Sequence, residues 1–244
     1  MGRLRAAGIH LLICLTVGGM LWALLRTIWY PTPLFQAVGG QEIFLILLGI
    51  DVSLGPLMTF IVFKADKKKL RFDLTVIGLV QIAALGYGLH TLWAGRPVYV
   101  AALGHRFDVI QATDVAEKEL ATAKQHLPWW GPKWVGIKES GDKKEQERML
   151  FSAVAGADYG SYPQHHAPLA SMRDEILKRA EPISELRKFN PGADAQISAW
   201  LADHGVTESS VIFQGLHARG QDMTVVMDGK TTEVIGVATF KPWN

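Results

Sequence analysis

The run from Gln41 to Phe63, QEIFLILLGIDVSLGPLMTFIVF, is apolar over a length that crosses a bilayer, and close to its middle stands a carboxylate, Asp51. An Asp at the centre of a membrane helix costs about 2.5 to 3.5 kcal/mol on insertion scales, so its side chain is expected to face protein or water and not lipid. Gly55 and Thr59 follow at i+4 and i+8 on the side of Asp51, while Gly49 and Ser53 form a small-residue stripe on another side. Either stripe permits the close approach of a second helix.

Two further runs have spanning length, Ala6 to Trp29 and Asp73 to Trp93, each near the ~20 residues that a ~30 Å hydrocarbon core requires. The first has Arg3 and Arg5 before it but ends on Leu24, Leu25 and Arg26 in place of a small-residue cleavage site, which predicts a retained helix. The link after the second run holds Lys64, Lys67, Lys68, Lys69 and Arg71, whereas the link before it, YPTPLFQAVGGQ, holds no Lys or Arg. This asymmetry predicts a cytoplasmic N-terminus and basic link, and places everything after Trp93 outside, through to Trp243 and Asn244. Asp66 and Asp73 then stand at the cytoplasmic edge, far from Asp51, which excludes an intramembrane aspartyl protease. Arg26 and Arg96 lie at the opposite boundary, where long side chains snorkel, beside Trp29, Tyr30 and Trp93.

At about 1.5 Å per residue, Asp51 is ~15 Å from the outer end of its helix and Gln81 ~18 Å from the outer end of the third. The two are expected to meet, with Gly78, Gln81 and Gly88 along one face of the third helix and Thr16 with Gly19 as a small patch on the first. Residues 1–95 thus read as a compact three-helix transmembrane bundle with a polar centre. Asp51 reads as a structural carboxylate bonded to Gln81 or to backbone near Val52, whose carbonyl Pro56 leaves without a helical partner. Its other readings are a polar latch for a transmembrane partner and a proton or ion path, although three helices are few for a pathway.

Residues 96–244 carry 17 Lys and Arg against 19 Asp and Glu, which argues against a nucleic-acid-binding protein. The single cysteine, Cys14, lies in the first apolar run and leaves neither an intramolecular disulfide nor a cysteine metal cluster. Val98 to Ala102 and Phe107 to Gln111 read as strands, and Glu117 to Leu127 as a helix ending before Pro128. The tryptophans of WWGPKW read as an exposed loop near the membrane, as buried core, or as a loop docked on the bilayer interface. Helices are expected over Asp142 to Ala155, with Met149, Leu150 and Val154 apolar, over Ser171 to Phe189 with an interruption at Pro182, and over Ala193 to His204. His165 and His166 have no third ligand at useful spacing, so no metal is expected. Strand patterns at Ser210 to Ala218, Met223 to Met227 and Thr232 to Phe240, joined by tight turns, predict a C-terminal antiparallel meander. The domain as a whole reads as α+β with helices covering one face of its sheet. No nucleotide-binding or hydrolase fingerprint is present, and no catalytic residue or cofactor is expected.

Asp51 with Leu54-Gly55-Pro56-Leu57, then Asp73-Leu74, Gln81, Tyr87-Gly88 and Arg96-Pro97, together with a terminal KPW, resemble the type IV pilin accessory proteins of the TfpX/TfpZ kind. The resemblance implies a multi-pass protein of the bacterial inner membrane with a periplasmic C-terminal domain and no catalytic residues. Its implied role is chaperone-like, with the major pilin as partner, acting on pilin stability, pilus assembly or the balance of assembly and retraction that drives twitching. Asp51, Gly55, Pro56, Thr59, Gly78, Gln81, Gly88 and Arg96 are then the candidates for partner binding or for the polar core of the bundle. The alternative classes are a membrane-anchored envelope enzyme, with HHAP or acidic residues catalytic, and a sensor.

Overall fold

The structure, a computed structural model, describes residues 2–65, 67–138, 140–154 and 158–243. Asp66 and Asn244, with their expected positions at the cytoplasmic edge and the outer terminus, lie outside those residues, as do Ala155 and the side chains of Leu150 and Val154. Among the described residues three helices are long and apolar enough to cross a membrane. The first is α1 (Arg3–Leu24), which continues through a π-helical turn (Leu25–Trp29); the others are α3 (Gly40–Val62) and α4 (Leu70–Ala94), with the short α2 (Leu34–Ala37) between the first two. The first and third begin before the expected Ala6 and Asp73. In α4 the extra turn is favoured by Asp73 at the positive end of the helix, where it also pairs with Lys67 at 2.5 Å. Only about a tenth or less of each span is buried within the protein.

The helices are followed by an α+β domain whose mixed sheet runs β4-β3-β1-β2-β6-β7-β8, with β5 also paired to β6. Its strands are β1 (Pro97–Ala102), β2 (Phe107–Gln111), β3 (Lys133–Ile137), β4 (His166–Pro168), β5 (Glu181–Pro182), β6 (Val211–His217), β7 (Met223–Asp228) and β8 (Val234–Ala238). The last three pair antiparallel in succession, but β1 runs parallel to β3 and β2 parallel to β6. The helices are α5 (Glu117–Ala123), α6 (Lys143–Val154), α7 (Arg173–Arg179), α8 (Ile183–Phe189) and α9 (Asp194–Asp203). The α5 helix stops short of Leu127, since Lys124 takes a left-handed conformation that ends it. The expected 171–189 helix is two helices, because Pro182 removes a helical donor and holds Glu181 extended, where Glu181 and Pro182 pair with Phe213 and Ile212.

Both faces of the sheet are covered, not one. On one face α8 and α9 bury Ile183, Leu186, Ile197 and Leu201 against Val211, Phe213 and Val226. The other face is covered by the chain between the first two spans: Tyr30, Leu34, Phe35, Ala37 and Val38 join Leu25, Phe44 and Leu92 from the helix ends in one cluster with Val100, Phe107, Val109, Leu216, Met223, Val225 and Met227. β1 is buried at every residue: Val100 and Ala102 belong to this core, while Val98, Tyr99 and Ala101 pack with Ile110, Val115 and Ile137 in a third cluster. The junction is also hydrogen-bonded. Gly220 and Gln221, between β6 and β7, both donate backbone N–H to the Ala37 carbonyl, at 2.8 and 3.0 Å, and the Gln36 side chain donates to that of Gln221. The Tyr30 hydroxyl donates to the Leu92 carbonyl at the end of α4.

Candidate functional site

The spanning helices do not close into a compact bundle: α3 lies between α1 and α4 and packs against each. Small residues set these contacts. A side chain at Gly18 of α1 would strike Leu48 of α3, one at Gly88 of α4 would strike Leu47, and one at Gly55 of α3 would strike the Gln81 amide. At the end where α1 begins, the Arg3 guanidinium donates to the Phe63 carbonyl at 2.9 Å, and His10 shares a hydrogen bond with the buried Thr59 hydroxyl.

Between α1 and α4, with α3 as its floor, is a cleft of about 240 Å³ lined by apolar side chains including Leu21, Phe44, Leu47 and Leu85, and by His10, Cys14, Asp51 and Gln81. Gln81 is the bridge. Its Nε2 donates to the Asp51 carbonyl oxygen at 3.3 Å, lies 3.9 Å from Cys14 Sγ, and sits beside the Asp51 carboxylate. The expected meeting of Asp51 and Gln81 is therefore realised, through the Asp51 backbone carbonyl. Pro56 is accommodated inside α3, which runs through it unbroken.

The sequence candidates separate by what surrounds them. Gly55, Thr59, Gln81 and Gly88 are already engaged in helix–helix contacts. Gly78 lines the cleft, and a side chain added there would meet nothing within 4 Å. Gly19 and Gly49 are equally open but are outside the cleft lining, so their stripes face away from both neighbours. Arg96 is not snorkelling. It is 5% exposed, with its guanidinium 3.5 Å above the Trp93 ring and donating to the Trp93 carbonyl at 2.7 Å and the Pro128 carbonyl at 3.4 Å. Burial lowers its pKa and the neighbouring Tyr30 raises it. His10, Cys14 and the Leu47–Leu48 pair do not stand out in the sequence; a titratable His inside an apolar run is the available signal for the first.

In the C-terminal domain a polar pocket is built around Arg148, which forks between Glu119 (2.9 Å) and Glu145 (2.6 Å), with Gln164 on Glu119 and His165 on Glu145. The Arg148 and His165 contacts hold the Glu145 carboxyl down at about 2. His166 turns elsewhere, to the Gly160 carbonyl at 2.8 Å and edge-on to Tyr99. Among the described residues no group of three or more His, Cys, Asp or Glu is placed to hold a metal.

Comparison with known proteins adds three relatives, all from Dichelobacter nodosus. The chain is 30% identical over 231 residues to the fimbrial assembly protein of serogroup I, covering 92% of this chain and 90% of that protein. It is 26% identical to the serogroup E1 protein over the same length, and 34% identical over 121 residues to that of serogroups C1 and C2. The family model described as fimbrial assembly protein FimB matches residues 1–39. No solved structure matches the chain.

Proposed function

The chain belongs to the fimbrial assembly protein family, and from that membership we propose that it acts in fimbrial assembly by binding the type IV pilin subunit in the bacterial inner membrane before the subunit enters the fibre. The role is chaperone-like and non-catalytic. The C-terminal domain lies on the periplasmic side in this reading, which rests on the Lys and Arg clustered between α3 and α4. The observation that carries the proposal is the cleft between α1 and α4, which has apolar walls, a polar end at Asp51 and Gln81, and one open glycine, Gly78, on its wall. Such a cleft accepts a helix that packs by shape and offers one polar contact, a pairing that holds a membrane segment and still releases it. A second, weak contact between the C-terminal domain and the subunit's head would raise the combined affinity through the fixed spacing of the two sites.

Photo-crosslinkers at Gly78 and at Gly49 test the assignment, since both positions are open and only the first lines the cleft. Pilin is expected to be captured from Gly78 and not from Gly49, and deletion of the gene is expected to lower surface pili without lowering pilin transcription. No capture at Gly78, together with normal piliation in the deletion strain, would overturn the proposal.

A further inference from the structure

The loop that joins α5 to β3 carries Trp129 and Trp130, and a third indole, Trp134, follows at the start of β3. Trp134 turns inward and meets Phe107 edge-on at 5.6 Å. Trp129 and Trp130 do the opposite, with 69% and 74% of their surface exposed, an unusual state for two adjacent indoles in a soluble environment. Their height relative to the spans is fixed from three sides. The Gly131 N–H donates to the Ile28 carbonyl at 2.7 Å, in the last turn of the first span, from a left-handed conformation (φ +46) that a side chain would strain. The Pro128 carbonyl on the other flank accepts from Arg96, which also bonds the Trp93 carbonyl at the end of α4. The rings continue this tie: Trp29 stacks at a tilt on Trp93 at 4.7 Å, and Trp93 on Trp129 at 4.8 Å.

Ile28, Trp29 and Trp93 are the closing residues of two spans, so the loop tip lies within about one helical turn, ~5 Å, of their ends. The indole has an apolar body and one N–H donor, a combination that partitions to the layer between headgroups and acyl chains. From this geometry we infer that Trp129 and Trp130 insert into the bilayer interface on the side of the C-terminal domain, as a fourth membrane attachment of the chain. The partner is lipid because the surface is continuous with lipid-facing helix ends. Arg96, buried between Trp93 and Pro128, ties the loop to the end of α4. The attachment orients the sheet on the membrane plane whether or not pilin is the partner of the cleft.

Nitroxide labels at Trp129→Cys and at Trp130→Cys, each in a Cys14→Ser background, test it in the full-length protein reconstituted in phosphatidylethanolamine–phosphatidylglycerol nanodiscs. Oxygen collisions are expected to exceed those with a water-soluble nickel chelate several-fold at both positions. Dominant nickel collisions would overturn the inference in favour of a water-exposed surface. Labels shielded from both reagents would overturn it in favour of a protein contact.

Discussion

Gly220 is the position at which a single methyl group is expected to separate the C-terminal domain from its membrane anchor. A Cβ there would lie 2.8 Å from the Gly39 nitrogen and 2.9 Å from the Ala37 carbonyl oxygen, both backbone atoms that cannot rotate away. Gly220 is not among the residues with positive φ, so Gly220→Ala adds a clash without adding backbone strain. Relief requires the β6–β7 turn and the 36–39 backbone to part. Overpacking of this kind costs about 1 to 3 kcal/mol. Parting them also lengthens the two hydrogen bonds that Gly220 and Gln221 give to the Ala37 carbonyl, at about 0.5 to 1.5 kcal/mol each. The expected destabilisation is therefore about 2 to 6 kcal/mol, measured as a shift in the denaturation midpoint of the purified protein in detergent. Gly141→Ala, where an added Cβ meets nothing within 4 Å, is the matched control and is expected to be near neutral. A Gly220→Ala protein as stable as that control would refute the claim that backbone meets backbone at this junction.

Within the helices, Gly55→Ala displaces the Gln81 amide from the Asp51 carbonyl whereas Gly78→Ala meets empty space; the first is expected to be about 1 to 2 kcal/mol less stable than the second in a steric-trap unfolding assay, and equal stabilities would remove Gln81 as the bridge. For acid sensitivity, the folded Glu145 carboxyl is held at about 2, below its ordinary 4.5, chiefly by Arg148 and then by His165. Its contribution is thus complete above about pH 4.5 and lost as the pH falls towards about 2. Glu145→Gln is expected to flatten the acid limb of the thermal midpoint across that window, and an unchanged limb would show that the contact adds nothing to folding.

What the sequence discloses here follows from how local the governing physics is. Membrane spans are announced by their own composition, and the helical rise is constant enough that counting residues alone matches Asp51 and Gln81 in depth. His10 and Cys14 escape the same reasoning because a side chain's facing depends on the angle at which helices cross, which the neighbouring residues do not encode. The segment YPTPLFQAVGGQ reads as a link when judged by its prolines and glycines, yet Leu34, Phe35, Ala37 and Val38 are core. Their apolar density without any Lys, Arg, Asp or Glu is the signal, and its partners on β1, β2, β6 and β7 lie sixty to nearly two hundred residues away. The pairing of Glu181 and Pro182 with β6 is hidden for the same reason: Pro182 predicts a break, but only the distant strand gives the broken stretch a role. Parallel pairing of β1 with β3 and of β2 with β6 is likewise set by where the intervening chain returns and not by the strands' own residues.

The chain from Tyr30 to Val38, packed into the sheet at one end and continuous with two spans at the other, makes the molecule a lever with no slack at its fulcrum. The first span is 27 residues long, about 40 Å at the helical rise, so a tilt of ~5° about the shared core moves its far end by roughly 3.5 Å. Spreading α1 from α4 is then mechanically inseparable from rocking the surface on which β1 and β7 rest. A displacement of the spans is therefore expected to reach the C-terminal domain through this shared core, and a load on that domain to reach the spans.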